Sequence, residues 1–135
     1  MITAQERLEK ILELASELEH ESATKPIIVE GLKDVEALKK MGVRNNVTSL
    51  SKGLSIIRFC EDVSRQFRSV VVLTDWDRKG GKLARMLKDA FETNGVKVDL
   101  DLRAKLVILS KKEIKDIEGL PAFVERLRRM TEKPR

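Results

Sequence analysis

Val70-Val71-Val72-Leu73-Thr74-Asp75-Trp76-Asp77-Arg78-Lys79-Gly80 decides the reading of this chain. A run of β-branched and aliphatic residues ends in two carboxylates that flank the sole tryptophan. A basic, glycine-containing turn and a helical pattern follow. Such a run marks a buried strand of a parallel sheet. Residues i and i+2 of a strand point the same way. Asp75 and Asp77 are therefore expected to aim together from the strand's carboxyl end, where open α/β sheets bind ligands. Two convergent carboxylates there suit a hard, oxygen-seeking cation, Mg²⁺ before others. The competing reading is that an Asp after a strand simply caps the next helix.

A second acidic strand end lies at Pro26-Ile27-Ile28-Val29-Glu30-Gly31-Leu32-Lys33-Asp34. Its short apolar run ends in Glu30, and Gly31 then permits a tight turn or a close backbone approach. Asp34 stands where it either caps the following helix or joins a metal site. A carboxylate at the buried end of a strand is costly to desolvate unless it is paired or bound to a cation. Two strands delivering acids to one sheet edge point to a cation they share.

These residues resemble the Toprim family, the catalytic module of bacterial primases, topoisomerases, recombination proteins and some nucleases. The family pattern is a strand ending in Glu-Gly with an Asp three residues after the Gly, then a later strand ending in Asp-x-Asp with a Gly downstream. Glu30-Gly31, Asp34, Asp75-Trp76-Asp77 and Gly80 match it, and Val35-Glu36-Ala37-Leu38, Gly42 and Asn46-Val47 extend the likeness over roughly residues 25–100. The chain looks most similar to the small stand-alone Toprim proteins of archaea. Lys115-Asp116-Ile117-Glu118 also resembles an acidic stretch late in the Toprim of nucleases that mature ribosomal RNA. The resemblance implies a Rossmann-like α/β fold, a parallel sheet of about four strands flanked by helices, here with an added N-terminal helix. It also implies catalytic Glu30, Asp75 and Asp77, with Glu30 as general acid or base. Mg²⁺, with Mn²⁺ as a substitute, would be held by Glu30, Asp75, Asp77 and Asp34, and Glu118 would be a helper. Lys33, Arg78, Lys79 and Lys82 become the candidates for phosphate contact.

The remaining pattern alternates strand and helix. Thr3 and Glu6 form a capping box that opens an amphipathic helix to about Glu21, with Leu8, Ile11, Leu12, Ala15 and Leu18 on one stripe. That stripe either covers the sheet or mediates self-association. Strand Ile27–Glu30 precedes a helix from Asp34 to Met41, ended by Gly42. A strand near Asn46–Leu50 leads through Ser51-Lys52-Gly53 to a helix burying Ile56, Cys60, Val63 and Phe67. Strand Ser69–Thr74, helix Gly80–Asn94 on Leu83, Leu87, Ala90 and Phe91, and an edge strand Val96–Leu100 follow. Helices near Arg103–Ser110 and Pro121–Met130 close the chain. Strands separated by helices imply a parallel sheet. We divide the chain into an N-terminal helix (1–24), a Toprim-like body (25–120) and a basic C-terminal helix and tail (121–135), all within one domain.

Composition narrows the function. A hydrophobic share of 41% argues against disorder, and no stretch approaches the ~20 apolar residues of a membrane span. The charged N-terminus is not a signal peptide, so a cytoplasmic protein is expected. Cys60 is the lone cysteine, a small core residue rather than a nucleophile. His20 has no partner histidine, and Trp76 should pack away from the aspartates that flank it.

Through Leu102 the chain holds 17 basic and 17 acidic side chains, against 10 and 5 beyond it, so the net charge of +5 lies in the last quarter. Arg126, Arg128, Arg129, Lys133 and Arg135 crowd that end, while Arg78, Lys79, Lys82, Arg85 and Lys88 cluster beside the acidic motif. Basic groups around an acidic centre suit a polyanion held by its phosphates, although exposed Lys and Arg also serve as plain solubilising residues. The chain has no tyrosine, which removes the tyrosyl–DNA intermediate of a topoisomerase unless another subunit supplies the tyrosine. The length leaves no room for the other parts of a bacterial primase. The expectation is a Mg²⁺-dependent protein acting on RNA or DNA phosphodiesters, a nuclease or phosphoryl-transfer enzyme. The alternative is a non-catalytic metal- and nucleic-acid-binding module within a larger complex. A protein partner or homo-oligomer is compatible with either.

Overall fold

Every strand is followed by a helix, and the sheet that results is wholly parallel. The computed structural model describes residues 2–50 and 53–132. The elements are α1 (Ala4–Ser22), β1 (Ile27–Val29), α2 (Leu32–Lys40), β2 (Val47–Ser49), α3 (Ile56–Ser64), β3 (Ser69–Val72), α4 (Arg78–Thr93), β4 (Lys97–Asp99), α5 (Asp101–Ser110) and α6 (Leu120–Thr131). The strand order is β2-β1-β3-β4. Ile27 pairs with Val47 on one side and Val71 on the other, and Val71 pairs with Asp99. The anticipated α/β architecture of four strands is the one observed, with β4 at an edge.

Alternation along the two central strands sends side chains to opposite faces and divides the core. Ile27, Val29, Val71 and Leu73 meet α1, α2, α5 and α6 on one face. Ile28, Val70 and Val72 meet α3 and α4 on the other. All seven are fully buried, as a parallel sheet covered on both faces requires. The leucine stripe of α1 lies in the first cluster, so its apolar surface is spent within the fold. Leu14 takes the buried position expected of Leu12, which is half-buried. The Thr3 hydroxyl accepts the Glu6 amide at 3.1 Å and donates to the Glu6 carboxylate.

On the second face Phe59 packs edge-on to Phe91, with centroids 6.4 Å apart, beside the buried Cys60. The helical spacing missed Phe59; Ile56, Val63 and Phe67 are only half-buried, as are Leu83 and Ala90 of α4. Burial pushes the Cys60 thiol up to about 11, in keeping with a core role. Several boundaries shift: α2 begins at Leu32 rather than Asp34, α4 at Arg78 rather than Gly80 and α5 at Asp101 rather than near Arg103, while β1 ends at Val29 rather than Glu30 and β3 at Val72 rather than Thr74. Gly42 and Gly95, with φ of +89° and +75°, supply the left-handed turns after α2 and α4. Gly53 is described, but Ser51 and Lys52 of the expected turn lie outside the described residues, as do Lys133 and Arg135 of the basic tail.

Candidate functional site

The chain reverses its direction of travel across the sheet between β1 and β3, since β2 lies on one side of that pair and β4 on the other. In open α/β folds a crevice opens at such a switch point, at the carboxyl ends of the strands. Both acidic motifs end there. The backbone ladder runs from Val71 N–H to Pro26 O (3.0 Å) and from Leu73 N–H to Ile28 O (2.8 Å). At the next rung Asp75 N–H donates to the Glu30 carboxylate, Oε2, at 2.7 Å. A side chain has replaced a main-chain acceptor, and this ties the two motifs together.

Because β3 stops at Val72, Asp75 and Asp77 are not alternate residues of a strand, which corrects the expectation from strand periodicity. They sit on the loop between β3 and α4. Asp77 is the N-cap of α4 and accepts the Gly80 amide through Oδ1 at 2.7 Å. Thr74, fully buried, donates its hydroxyl to Gly80 O at 2.7 Å and anchors the first turn of α4 to the strand end. Gly80 is required sterically, since a Cβ there would lie 2.1 Å from Asp75 O. Trp76 turns away from the acids as expected: its Nε1 donates to Ser110 Oγ at 2.9 Å, and its ring packs on the first core cluster.

Asp34 fulfils the capping role, accepting the Gly31 amide through Oδ2 at 3.1 Å from the first turn of α2. It is buried, and desolvation raises its carboxyl above the usual range, helped by Asp116, Glu30 and Glu118. Asp75 is pushed further, to about 7, first by burial and then by the charges of Glu30, Asp34, Asp116 and Asp77. Its carboxylate accepts no hydrogen bond among the described residues. Like charges in a poorly solvated place disfavour ionisation.

Two contributors fall outside the residues chosen from the sequence: Arg103 and, in the acidic stretch that supplied Glu118, Asp116. Asp116, from the segment between α5 and α6, bears on both Asp34 and Asp75, whereas Glu118 is exposed and bears on Asp34 alone. Arg103, from the first turn of α5, donates through Nε to Thr74 O at 3.0 Å and through Nη2 to Asp75 O. No motif marks Arg103, and the resemblance of Lys115-Asp116-Ile117-Glu118 marks the stretch without saying which of its carboxylates bears on Asp75. Lys33 in the first turn of α2, Arg78 and Lys79 in the first turn of α4 and Lys82 one turn further are exposed, and none forms an ion pair among the described residues. Lys88 instead pairs with Glu92 at 3.7 Å. His20 is exposed.

The model of the Toprim domain matches residues 25–109, which span β1 to α5 and hold both acidic motifs. This chain belongs to the Toprim family. A UPF0292 protein of Methanosarcina barkeri is 45% identical over 126 residues, covering 93% of this chain and 87% of that protein. A UPF0292 protein of Methanocaldococcus jannaschii is 38% identical, with 90% and 94% covered. A solved structure of an Aquifex aeolicus protein superposes with a TM-score of 0.67 at 29% identity, covering 79% of this chain and 94% of that one. The Toprim assignment and the archaeal relatives agree with the resemblance carried by Glu30-Gly31 and Asp75-Trp76-Asp77. Membership ties the chain to metal-binding, nucleic-acid-related work. Among the described residues no helix is long and apolar enough to cross a membrane.

Toprim domains generally bind Mg²⁺, and the donor set here is of the right chemistry. Every candidate ligand is a hard carboxylate oxygen, and Glu30, Asp34, Asp77 and Asp116 each commit one oxygen to a backbone amide. Among the described residues there is no group of three or more His, Cys, Asp or Glu side chains placed to hold a metal ion. Mg²⁺ does not ask for one: it retains waters and takes one or two carboxylates together with substrate phosphates.

Proposed function

We propose that this Toprim protein is a Mg²⁺-dependent enzyme acting on nucleic-acid phosphodiesters, a nuclease. The observation that carries the reading is the gathering of Glu30, Asp34, Asp75, Asp77 and Asp116 at the switch point, with Asp75 driven to about 7 by burial first and by these neighbouring charges second. An excess of negative charge around a half-buried carboxyl favours a bound divalent cation. Asp75 and Asp77, with Glu30 and Asp34 beside them, would hold that cation, and Mn²⁺ would substitute. When bound, it supplies stabilisation of charge on the phosphoryl oxygens and a more acidic water.

The chain's own groups divide the remaining work. Glu30 uses Oε2 to fix the Asp75 amide and keeps Oε1 for moving a proton to or from an oxygen at phosphorus. Arg78 and Lys79 stand at the N-terminal end of α4, where unpaired amides and the helix dipole already favour phosphate. Lys82, one turn on, and Lys33 on α2 extend the positive rim. These exposed cations hold the backbone of RNA or DNA without reading its sequence.

Wild-type protein incubated with RNA and with DNA, single- and double-stranded, in Mg²⁺ or Mn²⁺ should cleave at least one of them. Asp75→Asn should abolish turnover while leaving folding and weak polyanion binding intact. A second reading, a non-catalytic nucleic-acid-binding module, is favoured by the capping duties of Asp34, Asp77 and Asp116. Polyanion binding with no cleavage of any of the four substrates would support it.

A further inference from the structure

Thr74 and Asp75 lie past the end of β3 and before the start of α4, so no strand or helix ladder supplies donors to their carbonyls. Buried carbonyls without donors are costly, and the chain meets this cost with one side chain. Arg103 places Nε on Thr74 O and Nη2 on Asp75 O, a two-pronged contact that suits the rigid planar fork of a guanidinium. Gly80 closes on the other side of the Asp75 carbonyl, so that peptide is held between α4 and α5. α5 is itself fixed by the buried Leu102 and Leu106. At its far end Ser110 accepts the Trp76 indole, and Lys115 O accepts the Trp76 amide at 2.7 Å. The acidic loop is thus stapled to the α5 side of the fold at several points, and Arg103 is the staple at Asp75.

We propose that Arg103 is a positioning residue: its grip on the Thr74 and Asp75 carbonyls turns the Asp75 peptide so that its amide meets Glu30, setting the two acidic motifs in register before a cation arrives. The contact is to main-chain oxygens, so Arg103 shapes the site without occupying a ligand position. The part of this proposal that concerns the metal-free loop stands by itself; the part that concerns cation affinity rests on the Mg²⁺ reading above.

Charge and geometry make opposite predictions for its removal. A cation that merely sits near the acids repels Mg²⁺, and deleting it should tighten metal binding. A residue that positions the loop should weaken binding when deleted, by about tenfold or more, as outer-sphere partners of metal ligands do.

The test uses the full chain carrying Arg103→Gln, and Arg103→Lys as the milder change, with circular dichroism and thermal melts to define folded protein. Backbone amide exchange is followed by NMR without metal. The proposal expects the Asp75 amide to lose protection in both variants, more in Arg103→Gln, while the Val71 and Leu73 amides of the ladder stay protected. Mn²⁺ titration calorimetry should then show weaker binding for Arg103→Gln than for wild type. Unchanged Asp75 protection in either folded variant, or tighter Mn²⁺ binding by Arg103→Gln, overturns it. If wild type binds neither Mg²⁺ nor Mn²⁺, the proposed function falls, and the amide exchange still decides the role of Arg103.

Discussion

Asp75→Asn replaces a crowded carboxyl by a neutral group of the same shape and should stabilise the metal-free protein at pH 8. The folded-state value of Asp75 is about 7 against an ordinary 3.8. The folded protein therefore holds a proton that the unfolded chain has released, and stability falls as pH rises through that window. At 1.36 kcal/mol per unit the full shift corresponds to about 4 kcal/mol. Solvent at the loop edge reduces this, and a gain of ~1–2 kcal/mol, or about 3–8 °C in Tm for a domain of this size, is expected. Thermal melts of both proteins at pH 8, pH 6 and pH 4, in chelator, measure it. The advantage of Asp75→Asn should be largest at pH 8, shrink from pH 7 downward and vanish near pH 4. With saturating Mg²⁺ the wild type should recover stability and the variant should not. An Asp75→Asn protein no more stable than wild type at pH 8, or a gain independent of pH, would refute the electrostatic account of the cluster.

Three further outcomes follow from single contacts. Gly80→Ala should cost ~1–3 kcal/mol in denaturant melts, because its Cβ would meet the Asp75 carbonyl at 2.1 Å; Gly81→Ala, with nothing within 4 Å, should be neutral or stabilising by up to ~1 kcal/mol. Cys60 should resist alkylation in the native protein and react fully in denaturant, since its thiol is buried and pushed up to about 11. Lys79→Ala and Lys82→Ala should weaken binding to RNA or DNA to a similar degree across sequences, each lowering the salt slope by about 1 in filter-binding or anisotropy titrations.

What the sequence conveyed of this molecule follows from the range over which each signal acts. The buried runs around Ile27–Val29 and Ser69–Val72 and the helices between them were legible because period and glycine punctuation are local properties. The extent of β3 was not: Thr74 reads as strand, yet its hydroxyl is drawn to Gly80 O and the chain leaves the pleat. That departure turned a strand-like Asp-x-Asp into a loop carboxyl at Asp75 and a helix cap at Asp77. The outward course of Trp76 was anticipated, but its bond to Ser110 was not, being a contact over 34 residues. Arg103 reaches the loop through the packing of α5, and nothing in its own neighbourhood announces this. The choice of Glu118 within Lys115-Asp116-Ile117-Glu118 shows the same limit. Segment likeness located the acidic stretch, and only the turn at Gly119, whose amide Asp116 accepts at 2.9 Å, determines which carboxylate faces inward.

The central claim is that the acids at the β1/β3 switch point bind a divalent cation, and calorimetric titration of the metal-free protein with Mg²⁺ and then Mn²⁺ tests it most directly. Trp76, on the same loop, gives a parallel fluorescence signal. The account predicts saturable binding that weakens as pH falls through 7 and is lost in a folded Asp75→Asn, Asp77→Asn double variant. Folded wild type that binds neither ion by either method, or binding that survives unchanged in the double variant, would contradict it.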